Sequence, residues 1–321
     1  MREANEPTTN VGNAGHAAGD RTDIPRGSWI DRYAPAAWRP ILKLARLDRP
    51  IGTWLLLWPC WWSVTLASAT QGRLPDPYLL LLFAVGAIVM RGAGCTYNDI
   101  VDRDIDGKVA RTATRPLASG DVTLVQGWAL LVGLSLIGLG VLVQLGWTAI
   151  QLGLAALALV AAYPFMKRIT YWPQAWLGLT FNWGALVGWA SVTGTVGTPA
   201  LLLYAGGIAW TLGYDTIYAH QDKDDDALIG VKSAALRLGG ATRPALVGFF
   251  AVALGCWVAA CWQAGVHPAV LLGTAGVAVH FGWQLLTSDF DDPMDCLTKF
   301  KSNRFVGWLL FLGLLLAGLL A

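Results

Sequence analysis

Charged residues are scarce in this chain: only 14% of its 321 residues are Asp, Glu, Lys or Arg, whereas 55% are hydrophobic. This balance excludes an ordinary soluble enzyme and is typical of an all-α polytopic membrane protein. The formal net charge is only +2, so the composition gives no sign of a nucleic acid partner, and none is expected. We therefore expect membrane lipid to surround most of the chain.

Cysteine is also infrequent, and its spacing excludes a zinc site of the usual kind. No two of the five cysteines form a Cys-x2-Cys pair, and most of them lie within long apolar runs. We interpret them as reduced, structural residues. They are Cys60, Cys95, Cys256, Cys261 and Cys296.

Residues 1–30 lack the apolar core of a secretory signal, and their four acidic residues are unlike a mitochondrial transit peptide. We expect a disordered cytoplasmic tail there, and a location in a bacterial inner membrane. Residues 31–49 mix aromatic and aliphatic side chains with basic ones, which predicts a helix lying at the membrane interface. Residues 50–321 are then the transmembrane domain.

Windows of about 20 apolar residues predict about nine transmembrane helices around a central cavity. With nine spans, every Lys and Arg except Arg73 falls on the N-terminal side of the membrane. By the positive-inside rule, the N-terminus and the charged loops face the cytoplasm, and the chemistry belongs on that side. The predicted spans are 51–70, 77–97, 124–145, 147–165, 173–194, 199–220, 244–263, 267–287 and 304–321.

Two acidic clusters follow apolar runs, NDIVDRDID at 98–106 and QDKDDD at 221–226. Each contains two aspartates spaced four residues apart. Carboxylates at membrane helix ends are costly unless a cation neutralises them. The clusters therefore predict a divalent metal that carries phosphate.

In the first cluster, helical phasing places Asn98, Asp102 and Asp106 on one stripe, with Arg91 deeper in the membrane. Oxygen ligands of this kind suit Mg²⁺. A solvated acidic helix end is the alternative. An EF-hand is rejected because its twelfth position here is Ala113. Two arginines downstream, at 111 and 115, are placed to fold back over the acids and bind a polyanion.

The second cluster continues a helix face that begins inside the membrane, with Asp215, Tyr218, Asp222 and Asp226. Asp215 is either functional or the structural partner of a buried arginine such as Arg91. The turn after the fourth span adds further cations, in the segment YPFMKR at 163–168. Two acidic sites surrounded by cations, beside a cavity open to lipid, predict a diphosphate on a long apolar chain as substrate.

Four segments, in order, resemble the UbiA superfamily of intramembrane prenyltransferases, most closely its members that prenylate 4-hydroxybenzoate. The resemblance runs from about residue 40 to the C-terminus. It implies transfer of a polyprenyl group from polyprenyl diphosphate to the ring carbon ortho to the hydroxyl of 4-hydroxybenzoate, with Mg²⁺ as cofactor. The segments are LARLDRPIGTWLLLWP (44–59), MRGAGCTYNDIVDRDIDGKVARTATRPLASG (90–120), YPFMKRITYWPQ (163–174) and YDTIYAHQDKDDDALIGVKS (214–233).

The resemblance also implies a role for each matching side chain. The Mg²⁺ ligands are Asn98, Asp102, Asp106, Asp222 and Asp226, of which the four aspartates are counted as catalytic. The diphosphate contacts are Arg111, Arg115, Tyr163, Lys167 and Arg168. Arg91 holds the carboxylate of the aromatic acid.

Two alternatives remain open at this point. The first keeps the reaction and changes the acceptor to haem, homogentisate, naphthoate or a chlorophyllide. The second is a secondary transporter, which needs charges near the bilayer centre and an exit on the far side. The acids lie at the predicted cytoplasmic helix ends and the outer connections are almost uncharged, which argues against it.

Overall fold

The computed structural model describes residues 27–107, 112–223 and 233–321, except for the side chains of Lys167 and Asp222. Most of the predicted N-terminal tail therefore lies outside the described residues. Within them every regular element is helical and there is no strand, which confirms the predicted all-α class.

The helices are joined by short connections. Proline occupies the first turn of several of them, where its missing N–H costs nothing and its fixed φ suits a helix. In chain order the helices are α1 (Trp29–Tyr33), α2 (Arg39–Leu44), α3 (Ile51–Ala69), α4 (Pro77–Asp106), α5 (Pro116–Ser119), α6 (Leu124–Leu142), α7 (Trp147–Ile169), α8 (Pro173–Phe181), α9 (Gly184–Thr193), α10 (Thr198–Ala219), α11 (Ala234–Leu238), α12 (Thr242–Gln263), α13 (Val270–Thr287) and α14 (Pro293–Leu319). Short 3₁₀ turns occupy His220–Asp222 and Gly239–Ala241.

In the part of the chain that the structure describes, six helical segments are long and apolar enough to cross a membrane, by length and composition. They make this a multi-pass membrane protein. The other predicted spans coincide with α3, with α10 and with the pair α8 and α9, so the count of nine stays a prediction. The six segments are Pro77–Asp106, Leu124–Leu142, Trp147–Met166, Ala234–Gln263, Val270–Thr287 and Pro293–Leu319.

The predicted span 173–194 is not one continuous helix, because the helix is interrupted between α8 and α9. Asn182 is buried at the break, and its side-chain Nδ2 donates to the Gly178 carbonyl at 2.9 Å and to Thr211 Oγ1 at 2.8 Å. A side-chain amide that bonds a preceding carbonyl offers the backbone an alternative to the helical ladder. The break sets Phe181, the last residue of α8, against the cavity described below.

The segment 31–49 also differs from its prediction, because it holds the short helices α1 and α2 instead of one helix. Pro35 separates them: the preceding Ala34 has ψ 142, the extended conformation that a following proline imposes. Whether these helices lie at the membrane interface stays a prediction.

The core is rich in tryptophan and centres on α3. Trp54 stacks on Trp58 with ring centroids 5.2 Å apart, and Trp308 of α14 meets Trp58 edge-on at 4.9 Å. The indole N–H of Trp62 donates to the Gly307 carbonyl at 3.0 Å. Because a buried indole N–H needs an acceptor, this bond fixes how α3 sits on α14.

The close approach of α3 and α14 requires glycine at position 307. A Cβ atom there would lie 2.1 Å from the Trp58 ring, which is fully buried. We expect Gly307→Ala to destabilise the protein by about 1–3 kcal/mol through overpacking. The measurement is thermal unfolding in detergent. Gly282→Ala is the control, because a Cβ atom there meets nothing within 4 Å; equal stability of the two variants would contradict the packing argument.

Candidate active site

A large cavity lies among α3, α4, α6, α7 and the α8–α9 break, with a volume of about 1010 Å³. Most of its wall is aliphatic, and α6 and α7 supply much of that surface. Charged and polar groups gather where the C-terminal part of α4 meets the segments before α3 and α5. They are Arg46, Arg49, Arg91, Asn98, Asp99 and Arg115.

Three aspartates near the end of α4 are almost completely buried. Asp99, Asp102 and Asp106 expose 1%, 0% and 5% of their surface, and their spacing of three and four residues places them on one helix face. Ionised carboxylates in such surroundings need cationic partners. The structure supplies those partners from three separate segments.

Arg46, which precedes the first long helix, uses Nη2 to donate to both carboxylate oxygens of Asp99, at 2.9 and 2.8 Å. Arg115 donates through Nη1 to Asp106 Oδ2 at 2.8 Å and to Asp99 Oδ1 at 3.2 Å. Arg168, in the last turn of α7, donates to Asp102 Oδ1 at 3.1 Å. The expected return of Arg115 to the acids is thus present in the structure, and its role toward diphosphate stays a prediction.

Arg46 has an unusual backbone conformation, with φ +59 in the left-handed region. It is the first residue beyond the C-cap of α2: its own N–H donates to the Lys43 carbonyl, and the next N–H, of Leu47, donates to the Leu42 carbonyl. This is a Schellman motif, in which that position is usually glycine because a Cβ atom costs about 1 kcal/mol there. Arginine occupies this position despite the strain, and its guanidinium donates hydrogen bonds to Asp99.

Arg91 lies deeper on α4 and also lines the cavity. In the described structure its buried Nε has no hydrogen-bond partner, and its guanidinium carbon lies 5.3 Å from the Phe181 ring centroid. Space for this side chain depends on Gly52, where a Cβ atom would lie 2.5 Å from Arg91 Nε. Arg91 and Asp215 form no direct ion pair among the described residues, yet Arg91 is the charged group that acts on the Asp215 carboxyl. The choice between a functional and a structural role for Asp215 therefore stays a prediction.

The remaining predicted residues divide into three groups. Asn98 and Tyr163 line the cavity. Lys167 lies on α7 and Asp222 in the 3₁₀ turn after α10, although their side chains are outside the described residues. Arg111 and Asp226 lie entirely outside them.

The donor atoms that the structure describes match Mg²⁺ in chemistry, because they are carboxylate and amide oxygens. Within the described ranges, no group of three or more His, Cys, Asp or Glu is arranged to hold a metal. Asp102 and Asp106 supply two carboxylates. The side chain of Asp222 and the whole of Asp226 lie outside the described residues. The metal site therefore stays a prediction.

Sequence reasoning missed Asp99 and Arg46 as site residues. Asp99 was detectable, since it precedes Asp102 by three residues and Asp106 by seven, the spacing of one helix face. Arg46 carried no such signal, because it pairs with an acid 53 positions away and resembles an ordinary interfacial anchor.

Residues 56–315 match the family model described as the UbiA prenyltransferase family. The chain belongs to this family. It is 52% identical to the mitochondrial 4-hydroxybenzoate polyprenyltransferase of Bos taurus, over 89% of this chain and 77% of the relative. It is 49% identical to the protein of that name from Arabidopsis thaliana, over 92% and 73%.

Solved structures agree with this assignment. A UbiA homolog from Aeropyrum pernix K1 superposes with a TM-score of 0.66 and 26% identity, covering 83% of this chain and 96% of that one. A UbiA homolog from Archaeoglobus fulgidus bound to GPP and Mg²⁺ has a TM-score of 0.60 and 16% identity, covering 87% and 99%. At that identity the second likeness shows the fold alone, which is the UbiA fold.

Substitution of Arg46 separates backbone strain from side-chain function in this UbiA-family protein. Both Arg46→Gly and Arg46→Ala remove the guanidinium, and only glycine relieves the left-handed strain. We expect the glycine variant to be about 1 kcal/mol more stable than the alanine variant in chemical denaturation in detergent. Equal stability would show that position 46 leaves the left-handed region when its side chain is removed.

Proposed function

We propose that this chain is a 4-hydroxybenzoate polyprenyltransferase of ubiquinone biosynthesis. The observation that carries the proposal is the cavity of about 1010 Å³, whose wall is mostly aliphatic and whose charged groups, apart from Arg91, gather at one end. A substrate with a diphosphate head and a long apolar chain matches both parts. The relatives at about half identity, named as 4-hydroxybenzoate polyprenyltransferases, support the choice of acceptor.

The diphosphate belongs at the charged end of the cavity. Arg115 and Arg168 already lie against the buried acids of α4, at 2.8 and 3.1 Å from the nearest carboxylate oxygens. Guanidinium groups bind phosphate oxygens through paired hydrogen bonds. We assign the diphosphate to these two arginines, with Arg111, Tyr163 and Lys167 completing the set.

The metal belongs beside the same carboxylates. Its proposed ligands are the oxygen atoms of Asn98, Asp102, Asp106, Asp222 and Asp226. When bound, Mg²⁺ supplies positive charge that stabilises the departing diphosphate. The arginines contribute to the same stabilisation, and the buried carboxylates hold both kinds of cation in place.

Arg91 is the proposed partner of the acceptor's carboxylate. It lines the cavity deeper than the aspartates, its Nε is buried, and Phe181 packs against its guanidinium. A carboxylate bound there points the aromatic ring toward the diphosphate end. The bond from the allylic carbon to the diphosphate oxygen then breaks with its electron pair leaving on oxygen. The ring carbon ortho to the hydroxyl forms the new carbon–carbon bond and loses its proton, which the released diphosphate accepts.

The orientation of the membrane protein follows from charge. The connections at the acidic helix ends carry nearly all Lys and Arg, which favours the cytoplasmic face of a bacterial inner membrane. The relatives named above carry mitochondrial in their names, so the same asymmetry predicts the matrix face if the chain resides in a mitochondrion. In either membrane the diphosphate end opens to the side on which the positive-inside rule places the charged loops.

Removal of a single buried carboxylate tests the reaction and the metal together. We expect Asp102→Asn to reduce the formation of prenylated 4-hydroxybenzoate by about 10²–10³-fold in purified membranes with Mg²⁺, because the carboxylate that holds Arg168 and the proposed Mg²⁺ beside the diphosphate loses its charge. EDTA is expected to abolish the reaction of the unmodified protein. Asp104→Asn is the control, since the Asp104 side chain is 93% exposed on the same helix. Full turnover by Asp102→Asn would rule out its assigned role.

The acceptor assignment is tested at Arg91. We expect Arg91→Gln to raise the KM for 4-hydroxybenzoate by about 10-fold or more through loss of a charge-assisted bond, with little change in the KM for polyprenyl diphosphate. A panel of aromatic acceptors with and without a carboxylate measures the same contact directly. An equal rise in the KM for both substrates would indicate that Arg91 contacts the diphosphate instead.

A further inference from the structure

The loop between α13 and α14, residues 288–292, contacts the 3₁₀ turn His220–Asp222, at which the second acidic cluster begins. The Phe290 ring lies against the His220 ring, with centroids 4.9 Å apart. The Phe290 carbonyl accepts a hydrogen bond from Lys223 Nζ at 3.2 Å, and Lys223 also forms an ion pair with Asp291. His220 precedes Asp222 and Lys223 follows it, so one loop contacts the chain on both sides of this predicted ligand.

Contacts with the start of α12 hold the same assembly from the other side. The guanidinium carbon of Arg243 lies 5.5 Å from the Phe290 ring centroid, and Arg243 Nη2 donates to the Ser288 carbonyl at 3.0 Å. The His220 Nε2 and the Thr242 hydroxyl are 3.0 Å apart and share a hydrogen bond. Phe290 is thus packed between His220 of the 3₁₀ turn and Arg243 of α12.

The loop is itself ordered by bonds to the first turns of α14. The Asp289 N–H donates to Asp295 Oδ2 at 2.9 Å, and the Asp291 N–H donates to Asp289 Oδ1 at 2.9 Å. The hydrogen bond from Lys223 lowers the pKa of the Asp291 carboxyl. A loop that is ordered in this way restricts the movement of the turn that it contacts.

We infer that Phe290 and Asp291 are positioning residues that fix the 3₁₀ turn His220–Asp222, and through it the backbone of the predicted metal ligand Asp222. The inference rests on the proposed function and extends it to a loop 68 positions away in the chain. Groups that orient a ligand without touching the metal commonly alter metal affinity or activity by about 10–100-fold when removed.

The test uses the full chain in detergent and has two readouts that do not require turnover. One is hydrogen exchange of the backbone amides at 220–223, and the other is Mn²⁺ binding in the presence of inorganic pyrophosphate, followed by electron paramagnetic resonance. We expect Phe290→Ala to accelerate exchange at the turn and to weaken Mn²⁺ binding about 10-fold. Phe290→Tyr keeps the ring and is expected to restore both.

Phe305→Ala is the matched control, because Phe305 is a half-exposed ring under Arg304 that lies on α14 away from the turn. Unchanged exchange and Mn²⁺ binding in Phe290→Ala would overturn the inference. If that variant does not fold, Asp291→Asn decides, because it breaks only the exposed pair with Lys223 and is expected to shift both readouts in the same direction. Failure of the proposed function is seen separately, as unmodified protein that binds Mn²⁺ and pyrophosphate yet yields no prenylated acid.

Discussion

The burial of three carboxylates at the end of α4 is the constraint on which the site depends. Asp99, Asp102 and Asp106 are each nearly inaccessible, and an unpaired buried charge would cost several kcal/mol. Their partners come from the segment before α3, from the loop before α5 and from the end of α7. Neutralising the acids therefore also determines where these three segments lie.

The same arginines have two tasks. In the structure Arg115 and Arg168 neutralise carboxylates, and in the proposed function they bind the diphosphate. A guanidinium has five N–H groups, so each arginine can keep its carboxylate partner and still donate to a phosphate oxygen. This capacity is a physical reason for a site to contain paired acids and arginines, since a buried ion pair alone is weak support for stability.

The sequence revealed those features whose signal is local. Helical spacing alone placed Asn98, Asp102 and Asp106 on one face and Arg91 deeper in the membrane, and Arg91 does line the cavity. Features that depend on tertiary contact were not predictable in this way. The pairing of Arg46 with Asp99 joins distant segments, and the break at Asn182 depends on its bond to Thr211. The need for Gly52 appears only when Arg91 is seen against it.

The two halves of the predicted metal site are held by different physics. The first half rests on ion pairs of buried aspartates, of which the pair of Arg46 with Asp99 has side chains that are 8% and 1% exposed, so water and salt screen that pair little. The second half is held at the exposed surface, where the Asp291 side chain is 89% exposed and salt screens its pair with Lys223. The contacts of Phe290 with His220 and Arg243, and the hydrogen bond between His220 and Thr242, add to the positioning there. The turn that carries Asp222 therefore depends on aromatic packing and a few hydrogen bonds, whereas the end of α4 depends on a network of charges.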